Sequence, residues 1–411
     1  MENDLLSEHQ FGFVPGRSCV TQLLVTIQEW MKNLDEGLVT DVAYMDFRKA
    51  FDAVPHKRLI YKLQKYGIDG NLLLWIKDFL SQRTQYVKVN DSKSDVLPVI
   101  SGVPQGSVLG PMLFVYYIND LPNSCAVNCK IFADDTKAFT QIRNDNDILL
   151  PQNSIDSMFT WTQTWQLNFN AAKCKILHIG EKNPHHTYYI GQGNERRPLE
   201  TTNLEKDLGV LVDSNLNFEE HIQAAINKAS QKKGQILNNF SYRSMKVLVP
   251  LFKTLVRSPL EYAIVVWSSR HRYLIDEVER VQRSFTKYIY EVKNLEYEER
   301  LKKLNLPSLE YRRFRGDLIE TYKIANNLYD RKSLNSLLNF NPNPRLRGHC
   351  YKISKVATKK SQFQNFYSNR IVNEWNQLPE SIVKAESLNS FKNQIDKRYK
   401  DLMFQTNILN I

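Results

Sequence analysis

The chain contains no apolar run approaching the roughly 20 residues needed to cross a bilayer. Its first ten residues, MENDLLSEHQ, carry neither the basic nor the apolar region of a secretory signal. Cysteine is sparse: Cys19, Cys125, Cys129, Cys174 and Cys350 are scattered and odd in number. Three residues separate Cys125 from Cys129, but no second Cys/His pair stands at zinc-finger spacing and no Cys-Cys-His-Cys knuckle exists. A disulfide framework and a structural zinc are thereby excluded from the reading. The expectation is a reduced intracellular protein, of nucleus or cytoplasm, with no membrane partner. Internal repeats and low-complexity tracts are missing too, and the apolar, aromatic and charged fractions are those of a globular chain.

What the sequence has is an uneven charge. Residues 221–411 hold 34 Lys+Arg against 17 Asp+Glu, whereas residues 1–220 hold 21 against 27. A basic half of this size suits a polyanionic partner better than a neutral small molecule, although basic helices also serve as plain solvated surface.

The first half alternates strand and helix patterns. DVAYMDF (41–47) suits a central strand, and 54–68 and 71–83 read as amphipathic helices. TQYVKVN and SDVLPVI read as two strands joined by the turn DSKS (91–94). The loop SGVPQGS (101–107) leads into the apolar helix VLGPMLFVYYIND. VNCKIFA and TKAFTQI read as two strands with Asp134-Asp135 at the hairpin tip. Residues 181–203 suit a hairpin or a linker, the chain beyond 220 reads as mostly helical, and NFNPNPRLRGH (339–349) is the clearest late break. This ordering predicts an α+β fold with a helix-covered sheet.

The chemistry lies in the carboxylates. Asp134 and Asp135 interrupt an apolar stretch, and Asp46 stands where a strand leaves the core. If those strands are neighbours the acids converge, and clustered carboxylates repel unless cations sit between them. Oxygen-only ligands select Mg²⁺ or Mn²⁺, and two such ions about 4 Å apart can serve an in-line phosphoryl displacement. By itself an Asp-Asp pair is also an ordinary turn.

Four motifs in order decide between these. QFGFVPGRS (10–18), YMDFRKAFDAVPH (44–56), SGVPQGSVLGPMLF (101–114) and FADDT (132–136) resemble the successive blocks of reverse transcriptases. The resemblance is to the non-LTR, LINE-type, jockey-like retrotransposon polymerases. LNFNAAKCKIL (167–177), LGVLVDSNLNFEEHI (208–222) and FYSNRIVNEWNQLP (366–379) extend it over nearly the whole chain. It implies an RNA-directed DNA polymerase that adds dNTPs to a DNA primer on an RNA template with two Mg²⁺ ions, Mn²⁺ being the alternative. The fold implied is a right-hand palm with partial fingers over 1–190, a connecting region over 191–240, and a basic helical thumb over 241–411.

The same resemblance assigns roles. Asp46, Asp134 and Asp135 would be catalytic metal ligands, with the Phe47 carbonyl completing the set, and Lys173 a general acid toward pyrophosphate. Phe51 matches the steric gate that excludes a 2′-hydroxyl; by spacing alone it reads as core. Gly102, Pro104 and Gly106 would shape a loop that sets Gln105 against the nascent base pair. Arg17 would contact template or triphosphate, or stand as a surface arginine. The aromatics of RSFTKYIY and EYRRFRGDL are expected in the core for the most part, with stacking on nucleotides the alternative. Relatives carry earlier fingers segments and an endonuclease, so an N-terminally truncated copy is expected. The competing functions are an inactive nucleic-acid-binding remnant and a maturase-like splicing cofactor.

Overall fold

A computed structural model of the chain describes residues 5–334, 336–341 and 348–408. The chain divides into two compact units, one formed by residues up to Gln22 with Leu38–Asn203, the other by Leu23–Gly37 with residues from Leu204 onward. Helix α1 (Cys19–Asp35) runs through the division. Among the described residues no helix is long and apolar enough to cross a membrane.

The first unit is α+β, as its sequence predicts. Its five-stranded sheet comprises β1 (Val39–Met45), β2 (Asn128–Phe132), β3 (Asp135–Ile142), β4 (Lys175–Ile179) and β5 (Glu200–Thr202), in the order β5-β4-β1-β3-β2. All pairs are antiparallel except β4 with β5. Strand β1 is central and buried along nearly its whole length, as a strand covered on both faces must be. On one face Ala43, Met45, Ala138 and Ile176 pack with helices α2 (His56–Lys65), α3 (Gly70–Leu80), α4 (Leu109–Ile118) and α5 (Leu149–Trp165). Pro111 is tolerated because it falls in the first turn of α4, where no intrahelical donor is lost.

Two local features differ from the pattern reading, and a third decides between its alternatives. The 84–98 hairpin turns at Asn90-Asp91, one step before DSKS, because Asn90 accepts the left-handed conformation (φ 53°) a tight turn requires. The β2–β3 turn is Ala133-Asp134, so Asp135 opens β3 instead of sharing the tip. Residues 181–203 form a hairpin pairing Tyr189–Ile190 with Arg197–Pro198. Of the break at 339–349, residues 342–347 lie outside the described residues.

Asp41 is a buried acid in the middle of β1. Its carboxylate accepts bonds from His178 Nδ1 (2.6 Å), Asn183 Nδ2 (2.7 Å) and the Tyr188 hydroxyl (2.5 Å). Burial pushes this carboxyl up, but the donors from His178, Tyr188 and Asn183 together outweigh it and hold the group below its ordinary range.

The second unit contains a hairpin (Leu204–Asp207 with Val210–Asp213) and then helices α6 (Glu219–Asn239), α7 (Met245–Leu251), α8 (Arg272–Thr286), α9 (Tyr297–Leu304), α10 (Leu309–Ala325) and α11 (Leu388–Arg398). Ala229, Ile236, Phe252, Phe285 and Leu301 lie in its core. Glu279, buried on α8, accepts the backbone N–H groups of Leu309 and Glu310 and so caps α10 from outside. Much of the arginine excess is consumed internally: Arg312 pairs with Glu261, Arg315 with Asp396, Arg370 with Asp317 and Arg272 with Glu310.

One buried cation holds the first unit's helices together. Lys62 of α2 is 3% exposed; its ammonium meets Asp120 at 2.5 Å and the Tyr117 carbonyl at 2.6 Å, beneath the Trp165 ring at 3.8 Å. Burial pulls its pKa down to about 8, against the raising effect of Asp120. Between that value and the unfolded pKa of about 10.4 the unfolded chain binds the extra proton, so stability rises with pH across the window. Urea unfolding of wild type and Lys62→Met at pH 7 and 9.5 is expected to show wild type gaining about 2 kcal/mol on the variant. A flat difference would remove the desolvated cation from the account.

Candidate active site

Asp46 follows the last residue of β1, and the β1–β3 register ends at Met45 opposite Thr136. One further step along both strands brings Asp46 level with Asp135, beside the turn that holds Asp134. The loop after α5 wraps the other edge. Arg48 N–H donates to the Asn168 carbonyl (2.9 Å) and Asn170 N–H to the Asp46 carbonyl (2.7 Å), flanking an antiparallel bridge of Phe47 with Phe169. In such a bridge the Phe47 carbonyl points to the opposite edge of its strand, the side on which β3 lies. Its ring is core, stacked on Phe169 at 4.6 Å.

The Asp46 carboxylate is half-buried. Burial raises its pKa, Lys173 lowers it and Asp134 raises it again, with a net rise. Lys173 Nζ stands 3.8 Å from Asp46 Oδ2. That Oδ2 atom is out of contact with solvent and has no hydrogen-bond donor. Asp46 N–H meets the Cys174 sulfur at 3.4 Å, and burial pushes that thiol up to about 11, which makes it a packing group. Asp134 is half-buried and Asp135 exposed.

Among the described residues no three acid, histidine or cysteine side chains are gathered closely enough to enclose one ion. The oxygen groups at this end of the sheet are the Asp46 and Asp134 carboxylates and the Phe47 carbonyl, and Asp46 Oδ2 lacks a hydrogen-bond donor. That fits a hard divalent cation, since Mg²⁺ is held by one or two carboxylates plus water and phosphate and not by a complete protein cage.

The SGVPQGS loop is tied to the segment following Asp46. Gly102 N–H donates to Val54 O and Val103 N–H to Phe51 O, both at 2.8 Å. Gly102 has φ +87°, and a Cβ there would lie 2.8 Å from the Asp52 backbone, so only glycine permits this approach. Its carbonyl accepts from Arg83 (2.9 Å) and bonds His56 Nε2 (2.8 Å). Gln105 Nε2 donates to Asp52 Oδ1 at 2.9 Å. Pro104 offers its carbonyl to Ser107 Oγ, and Gly106 keeps a left-handed backbone (φ +81°). Phe51 is half-buried and stacked on Phe114 at 4.5 Å, so core packing and a surface ring coexist in one residue.

Arg17 bonds the backbone of its own N-terminal block. Its Nη1 donates to the carbonyls of Ser7 (2.9 Å) and Gln10 (2.6 Å), folding residues 7–17 onto themselves.

Residue-type reasoning passed over Gln10. It is fully buried, and its Oε1 accepts Gly12 N–H (2.7 Å) and Ala133 N–H (3.0 Å). Ala133 holds φ +53°, a conformation that favours glycine, in the turn next to Asp134. Gly12 lies so close that a Cβ would stand 2.4 Å from the Ala133 nitrogen. The QFGF block thus braces the acidic turn, and the signal was a glutamine amid aromatics beside a glycine. Gln10→Ala strands two N–H groups and is expected to cost about 2 kcal/mol or more in urea unfolding, with Gln10→Glu retaining much of it. An unchanged midpoint for the alanine variant would show the brace to be idle.

The model of the reverse transcriptase (RNA-dependent DNA polymerase) family matches residues 1–233. The RNA-directed DNA polymerase from the mobile element jockey of Drosophila melanogaster is 26% identical over 292 residues, 67% of this chain and 31% of that protein. The probable RNA-directed DNA polymerase from transposon X-element of the same fly is 27% identical over 293 residues, 69% of this chain and 32% of that one. The chain therefore spans about a third of the length of these curated relatives. Among solved structures, apo telomerase from Candida tropicalis is similar at TM-score 0.42 and 12% identity, over 72% of this chain and 50% of that one, a likeness too distant to carry weight. The family match covers more than half of the sequence and contains every residue of the acidic site, and the chain belongs to the reverse transcriptase family.

Proposed function

We propose that the chain is the polymerising part of a retrotransposon protein, adding dNTPs to a DNA primer 3′-end on an RNA template. The observation that carries this reading is the geometry at one end of the sheet: Lys173 Nζ stands 3.8 Å from Asp46 Oδ2, Asp46 leaves β1 level with Asp135 beside the turn that holds Asp134, and the Phe47 carbonyl is directed to the same side. Residues 1–190 would form palm and partial fingers, 191–240 the connecting region, and 241–411 a basic helical thumb.

Reverse transcriptase domains generally use divalent metal ions. Asp46, Asp134 and the Phe47 carbonyl would hold such ions, Mg²⁺ or Mn²⁺ and two in number, with Asp135 at the margin. Bound there, the ions supply Lewis-acid stabilisation of the phosphoryl oxygens. The protein's own part is orientation and charge. Lys173 offsets the paired carboxylates and would give its proton to the leaving pyrophosphate. Phe51, locked against Phe114, offers a rigid edge where a ribose would lie. Gln105, held by Asp52, would support the base pair from the loop that Gly102 anchors.

Lysines such as Lys228, Lys246, Lys253 and Lys287 are exposed on the second unit, whereas several of its arginines are paired. Phosphate contacts would accordingly fall to lysine and would weaken steeply with salt.

Primer extension on an RNA template is the test. Asp134→Ala is expected to lower Mg²⁺-dependent dNTP incorporation by on the order of a hundredfold or more while salt-sensitive nucleic-acid binding persists. Incorporation indifferent to the substitution would refute the assignment, and binding without any incorporation by wild type would favour the inactive-remnant reading. A separate expectation concerns sugar choice: Phe51→Val should raise NTP relative to dNTP incorporation by roughly tenfold or more. An unchanged ratio would leave Phe51 as packing alone.

A further inference from the structure

The second unit buries most of its aromatic rings, and four of those left outside are gathered. Among the described residues six are large and exposed: Phe240, Tyr242, Tyr262, Tyr273, Tyr288 and Tyr290. Tyr262 is fixed through its hydroxyl to the Leu208 carbonyl, and Tyr273 to Glu219. The other four occupy two segments that run side by side, one leaving α6 and one leaving α8. Tyr290 N–H donates to the Arg243 carbonyl (3.1 Å) and the Tyr290 hydroxyl to the Ser241 carbonyl (3.0 Å). The Arg243 guanidinium lies over the Tyr288 ring at 5.3 Å.

The alternation explains why the rings face outward. In RSFTKYIY, Phe285 and Ile289 are fully buried, so Tyr288 and Tyr290 are turned away from the core, at 43% and 51% exposure. Tyr242 is more open still, at 68%. The charge around the rings has one sign. Segments 240–246 and 287–293 carry Arg243, Lys246, Lys287 and Lys293 against a single acid, Glu291. Glu291 is occupied in capping α7, accepting the Met245 N–H at 3.0 Å. The three lysines are exposed.

Exposed planar rings ringed by cations suit a partner with aromatic faces and a polyanionic chain. Single-stranded nucleic acid offers both, whereas a duplex hides its base faces within its own stack. A lipid surface would use the cations but would favour aliphatic or tryptophan side chains. An acidic peptide lacks a regular supply of rings to stack.

We propose that the rings of Tyr242, Tyr288 and Tyr290 form a platform on which the unpaired bases of a single-stranded nucleic acid stack, its phosphates meeting the surrounding lysines. The inference takes from the polymerase reading only that nucleic acid is at hand; it requires no catalysis by the chain.

The test measures binding of labelled oligouridylate RNA, oligothymidylate DNA and a blunt duplex by fluorescence anisotropy, at two salt concentrations. Probes are wild type, Tyr242→Ala, the pair Tyr242→Ala/Tyr290→Ala, and the pair Tyr242→Phe/Tyr290→Phe. Both side chains are exposed, and thermal unfolding of each variant checks that the unit stays folded. The alanine pair is expected to weaken single-strand binding about tenfold to a hundredfold, with Tyr242→Ala intermediate, duplex affinity within about twofold, and the phenylalanine pair close to wild type. The RNA and DNA arms decide which strand the platform prefers, and loss in either supports it. Equal loss on duplex, or no loss on either single strand, overturns the platform. Incorporation by wild type with unaltered single-strand binding in the alanine pair would sink this inference alone, and stacking without incorporation would sink only the polymerase reading.

Discussion

Two carboxylates brought together at the end of a sheet repel each other, and much of the first unit is arranged around holding them there. Register brings them close: the β1–β3 ladder ends at Met45 opposite Thr136, which leaves Asp46 level with Asp135 and beside the turn that holds Asp134. Burial adds to the cost by depriving Asp46 of water, and Lys173 at 3.8 Å offsets only part of it. The Asp46 carboxylate is half-buried, and its Oδ2 lacks a hydrogen-bond donor.

The supports of this strained corner come from distant segments. Gln10 and Gly12 approach the acidic turn from the N-terminal block and fix the unfavourable Ala133 backbone. The loop carrying Asn168, Asn170, Lys173 and Cys174 closes over Asp46 from the opposite edge. Gly102 welds the SGVPQGS loop to the segment that carries Phe51 and Asp52. Each support bonds a backbone group of this corner.

Motifs with local spacing were legible in the sequence. The central strand, the helices from His56 to Leu80, the Asp-bearing hairpin and the α+β class follow from periodicity and turn residues, and motif order brought out the family. What escaped was long-range pairing. Asp41 sits in a strand pattern that gives no hint of His178, Asn183 and Tyr188, more than a hundred residues away. Lys62 reads as an ordinary helix-surface lysine until Tyr117, Asp120 and Trp165 enclose it. In the basic half, composition could not distinguish arginines tied up with Glu261, Asp317 and Asp396 from lysines left to solvent. The aromatics divide likewise: Tyr311 and Phe314 are core, whereas Tyr288 and Tyr290 are surface, a distinction set by which face of each segment meets its neighbours.

Sharing of divalent ions by Asp46 and Asp134 is the central proposal for this site. Crystals grown with Mn²⁺ and a non-hydrolysable dNTP analogue, measured at the manganese absorption edge, test this most directly. An anomalous peak bounded by both carboxylates and the Phe47 carbonyl, and lost in Asp46→Asn crystals, is the expected result. A peak elsewhere in the chain, or one that persists without the Asp46 carboxylate, would contradict it.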